Sequence, residues 1–234
     1  MQLPQPLTRA RLVRRYKRFL ADAELPSGEV ITAHCANPGA MTGLDMPGLP
    51  VWLSYSDNPR RKLQWSLELV ELPTGLVGIN TSHPNRIVGE AIAEKAIPEL
   101  AQYPHVRAEV PYGERSRVDF LLWGDDLPDC FVEVKNVHLS RRPGLAEFPD
   151  CPTARGARHL TELARVAGAG HRAALLYLVQ RTDCTHFSLA ADIDPTYMQA
   201  HAMAVAAGVQ MLCYACTIDN EEIRLARPLP MRGA

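Results

Sequence analysis

Three charged side chains interrupt two otherwise apolar runs: Asp119 in Arg117-Val118-Asp119-Phe120-Leu121-Leu122, and Glu133 and Lys135 in Cys130-Phe131-Val132-Glu133-Val134-Lys135-Asn136-Val137. Carboxylates and an ammonium set among Val, Leu and Phe are unfavourable unless they pair with one another or bind a cation. The turn-rich stretch Gly124-Asp125-Asp126-Leu127-Pro128-Asp129 lies between the runs, and a hairpin folded about Asp126 sets position 119 opposite position 133. Opposed residues share a face, and strand alternation adds Lys135 to it, so the three charges converge on one patch. A slip of one residue would send Asp119 to the other face. Two neighbouring carboxylates make a hard oxygen site suited to Mg²⁺ or Mn²⁺, which keep several waters and accept phosphate oxygens. The lysine would then hydrogen-bond an attacking water or neutralise charge developing on phosphorus. The same residues also suit an Asp/Glu/Lys salt-bridge cluster on a half-exposed sheet, and taken alone they leave both readings open.

The elements that must position this patch are legible around it. From about residue 85 Asn85 serves as cap of a helix to roughly Leu100, with Ile87, Val88, Ala91, Ile92 and Ala96 on one face, and the hairpin strands follow. Thr153 caps a second helix with Leu160, Leu163, Ala164 and Ala167 inward; Ala173 to Val179 reads as a buried strand. Asp194-Pro195 reads as cap and first position of a helix ending at Gly208, before a last strand from Val209 to Ile218. The order α-β-β-β-α-β describes a mixed sheet flanked by helices. Up to about residue 82 the chain is dense in Gly and Pro, with short apolar stretches at 29–34, 51–55, 67–72 and 76–80, the pattern of a small β-barrel. Pattern alone favours a helix over residues 9–20, through Leu12, Val13, Tyr16, Phe19 and Leu20.

Of 234 residues, 47% are hydrophobic and 22% charged, which suits an ordinary globular protein with a substantial core. No run approaches the roughly 18 apolar residues of a membrane span, and the N-terminus lacks a signal-peptide pattern, so the expected setting is the cytoplasm with no membrane partner. Cysteines 35, 130, 151, 184, 213 and 216 are scattered, as reduced thiols are. The net charge of −1 argues against wholesale attraction to nucleic acid, but Lys and Arg are clustered. Residues 1–84 carry nine Lys/Arg: six between Arg9 and Arg18, including Arg14, Arg15, Lys17 and Arg18, and three in Arg60-Arg61-Lys62 near Trp52, Tyr55 and Trp65. Basic groups interleaved with aromatics bind phosphates and stack bases, although solvated loop charges beside core aromatics would look the same.

The element order, with Asp119 and Glu133-Val134-Lys135 on adjacent strands, resembles the PD-(D/E)XK nuclease superfamily. Nearly the full length resembles the sugar fermentation stimulation protein A family, through Arg15-Tyr16-Lys17-Arg18-Phe19-Leu20-Ala21-Asp22, His34-Cys35-Ala36-Asn37-Pro38-Gly39-Ala40-Met41-Thr42-Gly43, Ser116-Arg117-Val118-Asp119-Phe120, Glu133-Val134-Lys135, Phe148-Pro149-Asp150 and Arg155-Gly156-Ala157-Arg158-His159-Leu160. The resemblance implies an α/β (α+β) chain with an OB-like β-barrel over 1–82 and a nuclease-like domain over 83–234, which turns residues 9–20 into a strand. It implies non-specific DNA binding, on single strands among other forms, and a role in regulating sugar (maltose) utilisation. It further implies Asp119 and Glu133 as metal ligands, Lys135 as catalytic lysine, and Glu90 as the acidic residue that the first helix points at the metal; a solvated helix glutamate is the alternative for Glu90. A homodimer is a candidate assembly. Ala157 stands where close relatives carry Gln, removing a polar contact.

Other motifs carry less. Cys213-Tyr214-Ala215-Cys216 lies inside an apolar strand with no second cysteine pair and reads as two small core residues. His34 and Cys35 point to opposite faces of a strand and cannot activate one another. Asn37-Pro38-Gly39 reads as a structural loop, since no helix with a Lys-Ser/Thr signature follows. Two functions remain: a metal-dependent nuclease, and a DNA-binding regulator whose nuclease-like site is silent.

Overall fold

A computed structural model describes residues 1–113 and 116–232. Its first part is a closed six-stranded sheet of β1 (Leu7–Tyr16), β2 (Leu20–Glu24), β3 (Val30–Cys35), β4 (Pro50–Tyr55), β5 (Trp65–Leu72) and β6 (Gly75–Gly78). The order is β3-β2-β1-β4-β5-β6, and β3 pairs with β5 to close the barrel. The helix that apolar spacing alone favours over residues 9–20 does not form. Ala10 and Leu12 enter the barrel core while Val13 stays 39% exposed, so the inward set follows a two-residue period, interrupted by a bulge between Leu12 and Arg14.

Next come α1 (Pro84–Ala93), β7 (His105–Tyr112), β8 (Ser116–Gly124), β9 (Leu127–Val137), β10 (Leu139–Arg142), β11 (Leu145–Phe148), α2 (Ala154–Gly168), β12 (Arg172–Val179), β13 (His186–Leu189), α3 (Pro195–Ala206), β14 (Gln210–Ile218), β15 (Ile223–Pro228) and β16 (Met231–Arg232). The second six-stranded sheet has the order β15-β14-β12-β9-β8-β7, parallel at β9-β12-β14 and antiparallel at both edges. One face packs on α1, through Ile87, Val88 and Ala91, and on barrel residue Leu69; the other packs on α2 and on the small sheet β10-β11-β13-β16. The chain is therefore mixed α+β, an OB barrel followed by mixed sheets with few helices.

Two helix starts follow the expected capping chemistry: the Thr153 hydroxyl accepts from Gly156 N at 3.0 Å, and Asp194 accepts from Tyr197 N at 2.9 Å. The first helix departs from it. His83 occupies the cap position without a side-chain bond, Pro84 opens the helix, and Ala93 ends it, with Lys95 left-handed at φ 55°. Asn85 is thus a residue of the first turn, its side chain released for another role. Cys213 and Cys216, three apart on β14, enter the cores on opposite faces of the sheet, which strand alternation dictates. No helix is long and apolar enough to cross a membrane among the described residues.

One of the contacts between the barrel and the rest of the chain centres on a half-buried carboxylate. Asp150, after β11, accepts from Ala40 N at 2.9 Å and lies 3.3 Å from His138 Nε2, in ion-pair range but off hydrogen-bond alignment. Burial works against its charge, yet His138, the Cys151 thiol and the Ala40 amide hold its pKa down at about 2. Gly39 has no side chain because a Cβ there would stand 2.2 Å from Asp150 Oδ2. Gly39→Ala should therefore cost about 1–3 kcal/mol. Asp150→Asn should cost about 2 kcal/mol at pH 7. Because the folded pKa of Asp150 is depressed, its contribution is complete above the ordinary carboxyl value of 3.8 and lost as pH falls through about 2. Urea melts at pH 7 and pH 2.5 check both the magnitudes and the sign.

Candidate metal and nucleic-acid site

The hairpin β8–β9 pairs Phe120 with Val132, Leu121 with Phe131 and Leu122 with Cys130, the register that sets position 119 against position 133. At Asp119 the ladder gives way to side-chain bonds: Oδ2 accepts from Val134 N at 2.7 Å, and Oδ1 accepts from Asn85 Nδ2 at 2.7 Å. Asp119 thereby ties α1 to β9. Glu133, 2% exposed, receives Lys135 Nζ at 2.8 Å on Oε1 and on the same oxygen meets His159 Nδ1 from α2. Lys135 Nζ itself lies 3.3 Å from that ring nitrogen. Arg155, one turn earlier on α2, donates Nε to His159 Nε2 at 3.3 Å. A guanidinium only donates, so Nε2 accepts and the ring proton belongs on Nδ1, toward Glu133.

The electrostatics follow from this packing. Burial and the neighbouring charge of Glu133 raise the pKa of Asp119 against the bonds from Val134 and Asn85. Burial also pushes Glu133 upward, but the His159 bond and the Lys135 ammonium more than offset it, leaving its pKa below the usual value. Glu133 Oε2 is buried with no hydrogen-bond partner, an uncommon condition for a carboxylate oxygen. The site thus holds two carboxylates against one lysine, with an acceptor unused. That donor set fits a hard divalent cation held by Asp119 and Glu133. No three His, Cys, Asp or Glu side chains are gathered into a ready cage among the described residues.

The site opens into a polar cleft of about 660 Å³ lined by Asn85, Glu109, Arg117, Asp119, Arg155, Arg158 and His159, among others. Its three arginines are exposed. Arg117 spends one donor on the Glu109 carbonyl and Arg155 one on His159, and neither pairs with a carboxylate among the described residues.

Glu90 is not brought to this cleft. Its carboxylate meets the Met1 amino group at 2.6 Å and Arg86 Nε at 3.0 Å, beside Arg224. Helix geometry explains the difference: Asn85 and Gly89, four apart, lie on the side facing Asp119 and Phe120, and the next position is turned about 100° away. Asn85, His159, Arg155 and Arg158 are functional candidates that the charge pattern of the strands does not reveal; the signal for the last three is Arg-x2-Arg-His following a capping Thr, whose three- and four-residue spacings from Arg155 bring them to one side of the helix.

The basic residues of the barrel divide. Arg14 is engaged by Asp22 at 2.8 Å, and Arg15 bonds the carbonyls of Asn37 and Gly39 at 2.8 Å, bracing the loop that meets Asp150. Lys17 and Arg18 form the exposed, left-handed tip of the β1–β2 hairpin, at φ 49° and 63°. Arg60, Arg61 and Lys62 lie in the β4–β5 connection, Arg61 on the Ser66 hydroxyl at 2.6 Å. Tyr55, 55% exposed, stands edge-on to Trp65, and Phe19, 46% exposed, stacks on His34, which lines a pocket with Arg61 and Lys62. Trp52 is elsewhere: its indole N–H bonds Glu71, and its ring packs toward the second domain's core.

An OB barrel joined to a mixed sheet that sets Asp119 in a polar cleft, with Glu133 and Lys135 packed behind it, defines the class of protein. The comparisons make this specific. Residues 13–79 match the SfsA N-terminal OB domain, and residues 82–222 match the sugar fermentation stimulation protein RE domain. The chain is 57% identical over 236 residues to the sugar fermentation stimulation protein homolog of Dinoroseobacter shibae, covering 100% of this chain and 97% of that one, and 56% identical over 229 residues to that of Rhodospirillum centenum, covering 98% of each. The solved structure of Pyrococcus furiosus SfsA in complex with Ca²⁺ superposes with a TM-score of 0.87 at 25% identity, over 99% of this chain and 98% of that one. The chain belongs to the sugar fermentation stimulation protein family.

Proposed function

We propose that the chain is a divalent-metal-dependent phosphodiesterase that cuts nucleic acid without sequence preference, with Mg²⁺ or Mn²⁺ held by Asp119 and Glu133. The observation that carries this reading is the unpartnered, buried Oε2 of Glu133, on a carboxylate whose other oxygen is fixed by Lys135 and His159, next to Asp119. The Ca²⁺ bound by the Pyrococcus relative, an ion with the same preference for oxygen ligands, supports a cation here. When bound, the ion would polarise a phosphate and lower the pKa of a water. The chain's own groups do the rest. Arg117, Arg155 and Arg158 hold the phosphates that flank the scissile one, Lys135 balances charge that develops on the phosphoryl oxygens, and His159 fixes the Glu133 carboxylate.

The barrel supplies affinity. Lys17, Arg18, Arg60, Arg61 and Lys62 offer phosphate contacts, and the exposed rings of Phe19 and Tyr55 offer stacking to unpaired bases, which favours single-stranded DNA. Replacing Arg60, Arg61 and Lys62 together by Ala should reduce the slope of log affinity against log salt by about two to three. Fluorescence anisotropy at several salt concentrations reads this directly, and an unchanged slope would move the nucleic-acid path off the β4–β5 connection.

The decisive experiment incubates the purified protein with end-labelled single-stranded DNA, double-stranded DNA and RNA, each with Mg²⁺, with Mn²⁺ and with EDTA. Metal-dependent cutting of at least one substrate is expected. If every substrate survives with both metals while binding persists, a DNA-binding regulator replaces the enzyme.

A further inference from the structure

Tyr112 closes β7 and pairs with Ser116 across the β7–β8 hairpin. It is 7% exposed and packs in the core between the second sheet and α2, with Leu160 and Leu163. Its ring lies 5.9 Å from that of Phe131. Phe131 and Glu133 are two apart on β9, where the pairing with β12 runs without a bulge, so both side chains point to the α2 face. The phenol therefore stands on the side of the sheet where His159 meets the Glu133 carboxylate.

Among the described residues the Tyr112 hydroxyl is buried and makes no hydrogen bond, although buried tyrosine hydroxyls generally find a partner. Glu133 Oε2 is a second orphan on this face. Burial first, and then the charges of Glu133, Glu162 and Asp119, hold the pKa of the phenol well above its usual 10, with Arg158 opposing them. The hydroxyl thus keeps its proton and brings no third negative charge to the two carboxylates. The two orphans do not bond each other, so what satisfies both must be polar and stand between them. A phenylalanine would fill the same space against Phe131 with no unpaired group, and packing alone therefore does not account for the hydroxyl.

We propose that Tyr112 is a positioning residue of the metal site: its hydroxyl accepts a hydrogen bond from a water kept by the ion at Asp119 and Glu133, on the α2 side of that ion. An ion of this kind retains several waters, and a water on the buried side needs polar partners of its own. The cation strengthens the O–H groups of its water as donors, and a neutral phenol oxygen accepts one without displacing the water as ligand. The inference rests on the metal-site reading given above, which Mn²⁺ binding by wild type tests separately.

The test compares wild type with Tyr112→Phe as full chains, by calorimetric titration with Mn²⁺ and by thermal melting in EDTA. The dissociation constant for Mn²⁺ is expected to rise by about 10–100-fold, the usual effect of removing a group that hydrogen-bonds a metal's ligands. The melting temperature in EDTA is expected to hold or rise, because the substitution removes an unpaired buried hydroxyl and keeps the ring. A hydroxyl that serves the fold alone would give the opposite pair, a lower melting temperature with metal affinity intact. Equal Mn²⁺ affinity in the two proteins overturns the proposal, and so does a variant whose melting temperature in EDTA falls along with its affinity. Cleavage read against Mn²⁺ concentration adds a kinetic arm: the curve should shift to higher metal and still reach the wild-type plateau. A lowered plateau would place the hydroxyl at the reacting atoms and overturn the positioning role. If wild type binds no Mn²⁺, the metal-site reading itself fails, and this proposal with it.

Discussion

Asp119→Ala is expected to abolish divalent-metal binding and cleavage together, because Asp119 is the carboxylate that the β8–β9 register sets beside Glu133 and that lines the cleft. Loss of cleavage should be complete within detection, while affinity for DNA in EDTA should hold or rise as one phosphate-repelling charge leaves the cleft. Folding is controlled with Asp119→Asn, which keeps an acceptor for Val134 N. The sign of its stability effect follows from the raised pKa of Asp119. A carboxyl whose folded pKa lies above its unfolded value favours the folded state below the unfolded pKa, and that advantage is lost as pH rises through the folded pKa. The charged form is therefore a burden at neutral pH, and Asp119→Asn should melt no lower than wild type there. Cleavage that survives Asp119→Ala would defeat the enzyme reading.

Lys135→Ala should separate the two functions that Asp119→Ala removes together. Metal affinity should persist, while single-turnover cleavage falls by about 10²–10³-fold if the ammonium stabilises transition-state charge as an oxyanion donor does. The lysine side chain is only 13% exposed, with Nζ 2.8 Å from Glu133 Oε1 and 3.3 Å from His159 Nδ1. A planar guanidinium is too wide for that niche, so Lys135→Arg should not restore the rate. Loss of metal along with rate in Lys135→Ala would show instead that the lysine acts by holding Glu133 in place.

Asp119, Glu133 and Lys135 could be read from the chain because charges inside apolar strands are costly and the hairpin between them is short. Period two then gives their common face without any further knowledge. The helices of α2 and α3 were equally legible, since Thr153 and Asp194 perform the capping their types suggest. Strand β1 was not: Leu12, Val13, Tyr16, Phe19 and Leu20 are spaced as a helical face, and only pairing with β2 and β4 selects the strand. The four short strands β10, β11, β13 and β16 also left no pattern, because each has two to four residues and, beyond the local β10–β11 hairpin, β13 and β16 join from distant parts of the chain.

The chain by itself determined which residue types sit within the strands, and through local register their convergence. Tertiary structure decided which distant groups join them. Glu90 and Asn85 are both polar residues of one helix, and the docking of α1 on the sheet turns Asn85 to Asp119 and leaves Glu90 at the Met1 amino group. His159 reaches Glu133 only because α2 packs against the face of β9 that bears it. Short-range periodicity depends on neighbours in sequence, whereas these contacts depend on how whole elements cross, and that is set by the packing of the two cores.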